Sequence, residues 1–392
     1  MVTFAAMQVV IRANAPQALT KLCGVSLLER LLRILRRLDI EQVTIVSRTT
    51  ADIRAVIERP SWARRGLTAD VINEADFQPA PSERLVSLPG NFYFDARLIN
   101  ALCECDRGAV LIDRNPPAVL MPLLPDGYSS GATVGDGQSV LDAGEIPSYV
   151  IGMRRDIRPV FFPAPAPEQH RRAERIILDA AQNGTLDLPA IVHAPIETWI
   201  ISWLCRTPIT PNQITASGGL LSLGAAVCFI TGRLSLGMSL ALIFGIIDGL
   251  DGKQARVKIE TTKAGKLEHA LDFVLETTWC ATLAFWLARS GGSPHAWRYF
   301  AVLLVADIVD RIAKTIARKH IPVLLDDFSP FDRFVRLIGA RRNVYIWILA
   351  IGLVSGAFGR SYEVCACWGA ITALLHVVRA VAVSRGRALP AR

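Results

Sequence analysis

Between residues 248 and 272 the chain carries four carboxylates, Asp248, Asp251, Glu268 and Asp272, and two very small side chains, Gly252 and Ala255. They lie at the junction of two strongly apolar segments. A carboxylate at membrane depth costs roughly 2.5–3.5 kcal/mol on insertion scales, so a cluster needs cations or a water-filled cavity. Asp248 and Asp251 are three residues apart, and Glu268 and Asp272 are four apart. Each pair therefore shares one helix face. Two such faces turned toward each other make an all-oxygen site suited to hard divalent ions, Mg²⁺ or Mn²⁺. The alternative is a solvated loop with chance acids, and the paired spacing argues against it.

The elements that must position these acids are read from hydropathy. The chain has 392 residues, 51% of them hydrophobic, with a mean hydropathy of +0.34. The long apolar runs all follow residue 213: Ile214–Ile230, Leu234–Ile247, Leu271–Ala288, Trp297–Ala313, Val344–Phe358 and Tyr362–Val383. They predict a C-terminal all-α bundle of six transmembrane helices. Leu234–Ile247 is shorter than the ~20 residues of a full span, so that span continues into the acidic cluster. Asp248 and Asp251 are thereby expected at the membrane surface, inside the bundle. Lys253, Arg256, Lys258, Lys263 and Lys266 follow the second run, a second basic group separates the fourth and fifth, and Arg379, Arg385, Arg387 and Arg392 close the chain. The opposite loops are poor in basic residues, which places both termini and the acidic site on the cytoplasmic side of an integral membrane protein. The net charge of +8 follows mostly from this asymmetry. No basic stretch interleaved with aromatics points to nucleic acid.

The eight cysteines form neither a CxxC pattern nor a disulfide framework and read as small apolar residues in a reducing compartment. The first residues lack a basic stretch before their short apolar run, so no secretory signal is expected. His269 neighbours the acids and is read as a helix-flank residue. Ala194–Arg206 places Trp199, Trp203 and aliphatic residues on one side at helical spacing, which predicts an amphipathic helix in the membrane interface. Thr210 before Pro211 is an N-cap followed by proline at the first helical position.

The run Asp248-Gly-Leu-Asp251-Gly252-Lys-Gln-Ala255-Arg256, with Gly265 after eight further residues, resembles the signature of the CDP-alcohol phosphotransferase family. The family's third and fourth acids would fall at His269 and Phe273; here Glu268 and Asp272 come one residue early, still four apart. The resemblance covers roughly residues 194–392, including the Thr-Pro-Asn-x-x-Thr of Thr210–Thr215. It implies that an alcohol attacks the phosphate of a CDP-alcohol and CMP leaves, with two metal ions at the pyrophosphate. It implies Asp248, Asp251, Glu268 and Asp272 as metal ligands and Asp272 as general base. It also implies Gly252, Ala255, Arg256 and Asp248 at the cytidine nucleotide. Glu276, one turn on, is a substitute or a supporting partner. Close helix packing in lipid favours the same small residues as Gly252 and Ala255. By resemblance homodimerisation is common, and nothing in the sequence shows it.

Residues 1–190 alternate apolar strands with helical stretches, an α/β pattern. They resemble a sugar-nucleotidyltransferase (Rossmann-like) domain, so the chain is expected to be multi-domain, with the membrane domain at 191–392. The family's glycine-rich phosphate loop corresponds here to Ala5–Arg12, which has no glycine, and Met7, Val9 and Val10 would block approach to phosphates. The family's metal-binding Gly-Asp reads Gly90-Asn91. The domain is expected to keep its fold and to have lost its catalysis, with Lys21 and Asp113 as the residues that bear on that judgement. The pairing of halves is similar to the bifunctional inositol-phosphate cytidylyltransferase/di-inositol-phosphate-phosphate synthases. Arg341, Arg342 and Asn343, at the cytoplasmic mouth of the fifth run, are candidates for the acceptor's phosphate or ordinary positive-inside anchors. Three readings follow: a transferase joining a CDP-alcohol to a polar phosphorylated alcohol, a CDP-diacylglycerol-dependent phospholipid synthase, and a non-catalytic membrane sensor.

Overall fold

In a computed structural model of the chain, residues 7–79, 84–105, 109–124, 139–260 and 265–386 are described, with Arg84 and 265–271 described as backbone only. The N-terminal half is α/β, as expected. A parallel four-stranded sheet runs in the order Thr68–Asn73, Gln42–Ser47, Met7–Arg12, Arg84–Pro89. Helices α1 (Leu27–Arg37), α2 (Thr50–Ile57) and α3 (Ala96–Glu104) accompany it. Ser26 caps α1 through the Glu29 amide, and Leu28, Leu31 and Leu35 pack with Val9, Ile11 and Ile45 into the core.

One expectation changes here. Met7–Arg12 is an inner strand of the sheet, not the phosphate loop, because the consecutive buried Val9, Val10 and Ile11 fit a strand covered on both faces. Ala5 and Ala6 lie outside the described residues. The turn that follows, Ala13–Thr20, also lacks glycine. Its Asn14 is engaged with Ser47 and the Arg48 amide. Lys21 is exposed on a two-residue strand, and Asp113 is buried against Arg158 at 2.5 Å.

The C-terminal half is helical. Helix α4 (His170–Ala180) leads to α5 (Leu188–Leu204), which starts before the expected Ala194 because Asp187 caps it. On α5, Leu188, Ile191, Val192, Ile196, Trp199 and Trp203 are exposed at helical spacing, the stripe expected of an interfacial helix. The remaining helices are α6 (Pro211–Ile230), α7 (Leu234–Lys258), α8 (Gly265–Arg289), α9 (Ala296–Ala317), α10 (Pro330–Ile338), α11 (Arg342–Val354) and α12 (Phe358–Ser384). Thr210 and Gln213 close the expected cap of α6 as a full capping box. Trp279 on α8 packs edge-on to Phe244 on α7 and donates to the Ser222 carbonyl on α6 at 2.8 Å.

Among the described residues, α6, α7 and α12 are long and apolar enough to span a membrane, and α10 with α11 forms a fourth unit bent by 44°. Helices α8 and α9, expected as further spans, fall short of that measure. Their charged residues, among them Glu276, Asp307, Asp310, Arg311 and Lys314, line a polar cavity and lower their apolarity.

The two halves are joined at the end of α7. Arg30 on α1 is buried and donates to the Val257 carbonyl at 2.6 Å and to Leu22 at 2.9 Å. Arg33 donates to the Lys258 carbonyl at 2.7 Å and pairs with Glu260 at 3.0 Å. These donors satisfy last-turn carbonyls that a helix leaves open. Gly24, at φ +78°, lets its turn close on α5, where a Cβ would lie 2.2 Å from the Cys205 carbonyl oxygen. Replacing Arg30 with leucine should orphan two buried carbonyls and cost about 3 kcal/mol. The cost should appear as a lower unfolding temperature of the detergent-solubilised protein; an unchanged temperature would show that these bonds do not hold the halves together.

Candidate active site

The last two turns of α7 carry Asp248 and Asp251, and α8 brings Asp272 opposite them. Asp248, Asp251 and Asp272 line one small cavity with Thr215 and Gly218 of α6 and Leu275 of α8. Its volume of about 20 Å³ is room for little more than one water-sized body. The Thr215 hydroxyl donates to Asp251 Oδ2 at 2.6 Å, and the Gly252 amide sits 2.6 Å from Asp251 Oδ1. Thr215 is the last residue of the Thr-Pro-Asn-x-x-Thr run, so that run reaches the acids directly. The early register of α8 still delivers Asp272 to this cavity. Phe273, where the family pattern places an acid, instead lies beneath the Arg311 guanidinium at 5.2 Å.

The helix that carries the first two acids is braced from α5. Lys253 is almost fully buried and pairs with Glu197 at 3.0 Å, with Thr198 Oγ1 at 3.2 Å. Gly249 makes this approach feasible, since a Cβ there would lie 2.5 Å from Glu197 Oε1. Arg256 Nε donates to the Ala181 carbonyl at 2.8 Å, and its Nη1 lies 3.3 Å from where a Cβ on Gly252 would sit. The small size of Gly252 thus leaves room for the guanidinium of Arg256. Ala255 is half-buried one residue before it.

Arg342 connects the small acidic cavity to a larger one. It pairs with Asp248 and, at 3.5 Å, with Glu276, and its guanidinium lies 4.7 Å from the Phe244 ring centroid. Glu276 also meets Arg311 at 3.6 Å. The larger cavity holds about 500 Å³ and is lined by Glu276, Asp307, Asp310 and Asp326 together with Arg154, Arg311, Lys314, Arg341 and Arg342. Of the expected acceptor residues, Arg341 and Arg342 face it. Asn343 packs against α7, with its Oδ1 3.5 Å from the Cβ position of Gly245.

Asp326 is the hub of the larger cavity. It meets Lys314 and Arg336 at 3.3 Å, Arg341 at 3.5 Å and Arg154 at 4.0 Å. Burial pushes its carboxyl up, but Lys314, Arg341, His376 and Arg154 outweigh burial and hold it at about 2. Sequence reasoning missed Arg154, Glu197 and Lys253, because their partners lie far along the chain.

The donor set at the small cavity is all oxygen, which fits a hard divalent cation. Among the described residues, no three His, Cys, Asp or Glu side chains form a group able to hold a metal ion. The side chains of Glu268 and His269 lie outside the described residues, so the expected fourth ligand is not placed.

A family profile described as CDP-alcohol phosphatidyltransferase matches residues 208–383. A phosphatidylinositol phosphate synthase of Mycobacteroides abscessus is 31% identical over 173 residues, 42% of this chain and 72% of that protein. A bifunctional IPC transferase and DIPP synthase of Rubrobacter xylanophilus is 29% identical over 224 residues, 56% of this chain. The chain spans about half the length of that bifunctional relative, 48%. A crystal structure of Mycobacterium tuberculosis phosphatidylinositol phosphate synthase with CDP-DAG bound is similar to 48% of this chain and 94% of that one, at 20% identity and a TM-score of 0.38.

The depressed carboxyl of Asp326 has a consequence for stability. A free aspartate titrates near ~3.9. The stabilisation from Asp326 is therefore fully present above that pH and is lost as pH falls through about 2. Asp326→Asn should lower the unfolding temperature at pH 7 and flatten its fall between about pH 4 and pH 2. An equally steep acid profile in the variant would count against Asp326 as the hub.

Proposed function

The chain belongs to the CDP-alcohol phosphatidyltransferase family, and from that membership we propose that it transfers a substituted phosphate from a CDP-alcohol to an acceptor hydroxyl, releasing CMP. The observation that carries this is the convergence of Asp248, Asp251 and Asp272 on one small cavity beside a larger polar one. Asp248, Asp251 and Asp272, with Glu268 from the same helix as Asp272, would hold Mg²⁺ or Mn²⁺, as one or two ions. Bound there, such ions would supply positive charge to stabilise the pyrophosphate and the departing CMP.

The chain's own groups do the rest. Asp272 takes the proton of the attacking hydroxyl. Asp251 is oriented for its task by Thr215, and Asp248 by Arg342. Gly252, Ala255 and Arg256 form the floor on which the cytidine nucleotide approaches the helix end. The acceptor occupies the larger cavity, where the carboxylates accept hydrogen bonds from its hydroxyls and Arg341 and Arg342 meet its phosphate. Arg342 lines the larger cavity and pairs with Asp248 of the smaller one, so it positions the acceptor next to the acids.

The relatives' names point to an inositol phosphate as the acceptor class. Two donors follow from them. The bifunctional relatives favour a polar CDP-alcohol. The match covering 72% of a phosphatidylinositol phosphate synthase favours CDP-diacylglycerol. We read the N-terminal half as nucleotidyltransferase-like in fold and inactive in that chemistry, since its first turn has no glycine and Asn91 stands where a carboxylate would bind metal. The membrane half reads as six helices at the bilayer, the charged α8 and α9 included. Its acidic site and both termini face the cytoplasm, with α5 lying in the interface.

The test is metal-dependent CMP release by the purified protein, given CDP-diacylglycerol or CDP-inositol with inositol phosphate or glycerol phosphate. Asp248→Asn and Asp272→Asn should each lower the rate at least about 100-fold. Release that survives both substitutions would sink the assignment of these acids.

A further inference from the structure

Arg154 belongs to the α/β half, yet it lines the large cavity of the helical half. Its backbone has φ 51°, a left-handed conformation that arginine rarely adopts. Such a residue persists only where its surroundings hold it, at a cost on the order of 1–3 kcal/mol. Here they do. The Gly184 amide donates to the Met153 carbonyl at 2.7 Å, and the Thr185 amide donates to the Arg154 carbonyl at 3.2 Å. A Cβ on Gly184 would lie 2.0 Å from the Arg154 carbonyl oxygen. The hydroxyls of Tyr149 and Thr185 both donate to Asp327, at 2.6 and 2.7 Å. The turn is therefore pinned to the loop that carries Asp326.

The side chain of Arg154 is mostly buried, 19% exposed. Its closest carboxylate, Asp326 Oδ2, is 4.0 Å away and already pairs with Arg336 and Arg341. Among the described residues, Arg154 Nε is buried without a hydrogen-bond partner. The tether between the halves is supplied by Tyr149 and Thr185. A strained backbone that aims spare guanidinium donors into a cavity does something the tether does not require.

We propose that Arg154 is a specificity-determining residue through which the α/β half binds the phosphate of the acceptor, together with Arg341 and Lys314. The inference rests on the transferase reading above and deepens it to an acceptor that carries a phosphate. The planar guanidinium suits a bidentate phosphate contact. The cavity, about 500 Å³, is within the range of small-ligand sites. Its five cations and four carboxylates complement a polyol phosphate, with cations for the phosphate and carboxylates for the hydroxyls. The α/β half thus completes a site in the membrane half without any nucleotide chemistry of its own.

The experiment uses the full chain in detergent. Arg154→Asn removes the charge with a residue tolerant of left-handed backbone, and Arg154→Lys keeps the charge without the fork. One readout is CMP release against the concentration of myo-inositol 1-phosphate or glycerol 3-phosphate, with CDP-diacylglycerol or CDP-inositol as donor. The other is the rise in unfolding temperature given by myo-inositol 1-phosphate without donor. Arg154→Asn should raise the acceptor KM about tenfold or more while kcat stays within about threefold, the pattern of lost ground-state binding. It should also lose most of the ligand-induced temperature rise, with Arg154→Lys intermediate. An unchanged KM and an unchanged rise would overturn the proposal, and a lower unliganded melting temperature with an unchanged KM would reduce Arg154 to a tether. If wild type releases no CMP with any pair, the transferase reading fails. The temperature rise then decides alone: its loss in Arg154→Asn supports the phosphate contact, and its absence in wild type sinks both.

Discussion

Placing carboxylates inside an apolar helix bundle is the constraint that the rest of this structure answers. Arg342 is the central answer. It sits at the start of α11, pairs with Asp248 on α7 and Glu276 on α8, and lies over the ring of Phe244. One guanidinium thus offsets two acids on two helices and packs its flat face on an aromatic ring. A buried charge left without its partner is strongly destabilising. The three helices are therefore held in a mutual orientation that keeps the acids convergent, and the orientation that satisfies the charges is the one that builds the cavity.

The same logic continues along α7. Its final turn lies in a contact between the two halves, where water does not reach the carbonyls of Val257 and Lys258. Arg30 and Arg33 supply the missing donors. Lys258 reaches the carbonyls of Thr207 and Ile209 and so ties the segment before α6 to α7. That tie fixes the capping box at Thr210 and, one turn later, the Thr215 hydroxyl on Asp251. Glu197 and Lys253 add the interfacial helix to the same assembly. The position of Asp251 is thus determined from three sides: by α5, by α6 and by the α/β half.

Much of this was legible in the sequence where the signal is local. The Thr210–Pro211 cap and the apolar stripe of α5 each depend on neighbours within a few residues, and each has its expected place. Misreadings came where a local pattern admits two structures. The resemblance reads Met7–Arg12 as the phosphate loop, and the sheet makes it a strand because it supplies partners on both sides. The start of α5 moved because Asp187 was not weighed as a cap. The apolar runs of α8 and α9 do not tell where their charges point, and Glu276, Asp307, Asp310, Arg311 and Lys314 line one cavity. The contacts that no spacing rule can reach are those between distant segments, Arg30 with Val257, Glu197 with Lys253 and Arg154 with Asp326. Each joins one cation or acid out of the many in the chain to a partner chosen only by the fold.

The α/β half also carries residues that support the membrane half. Arg30 and Arg33 lie on α1, Gly24 on the turn before it, and Arg154 on a turn beyond the sheet. Loss of α1 itself would strip the donors from the end of α7 and loosen the helix that carries Asp248 and Asp251. The physical demand on the α/β half is to satisfy a helix end, and it falls on α1 and its interface with α7.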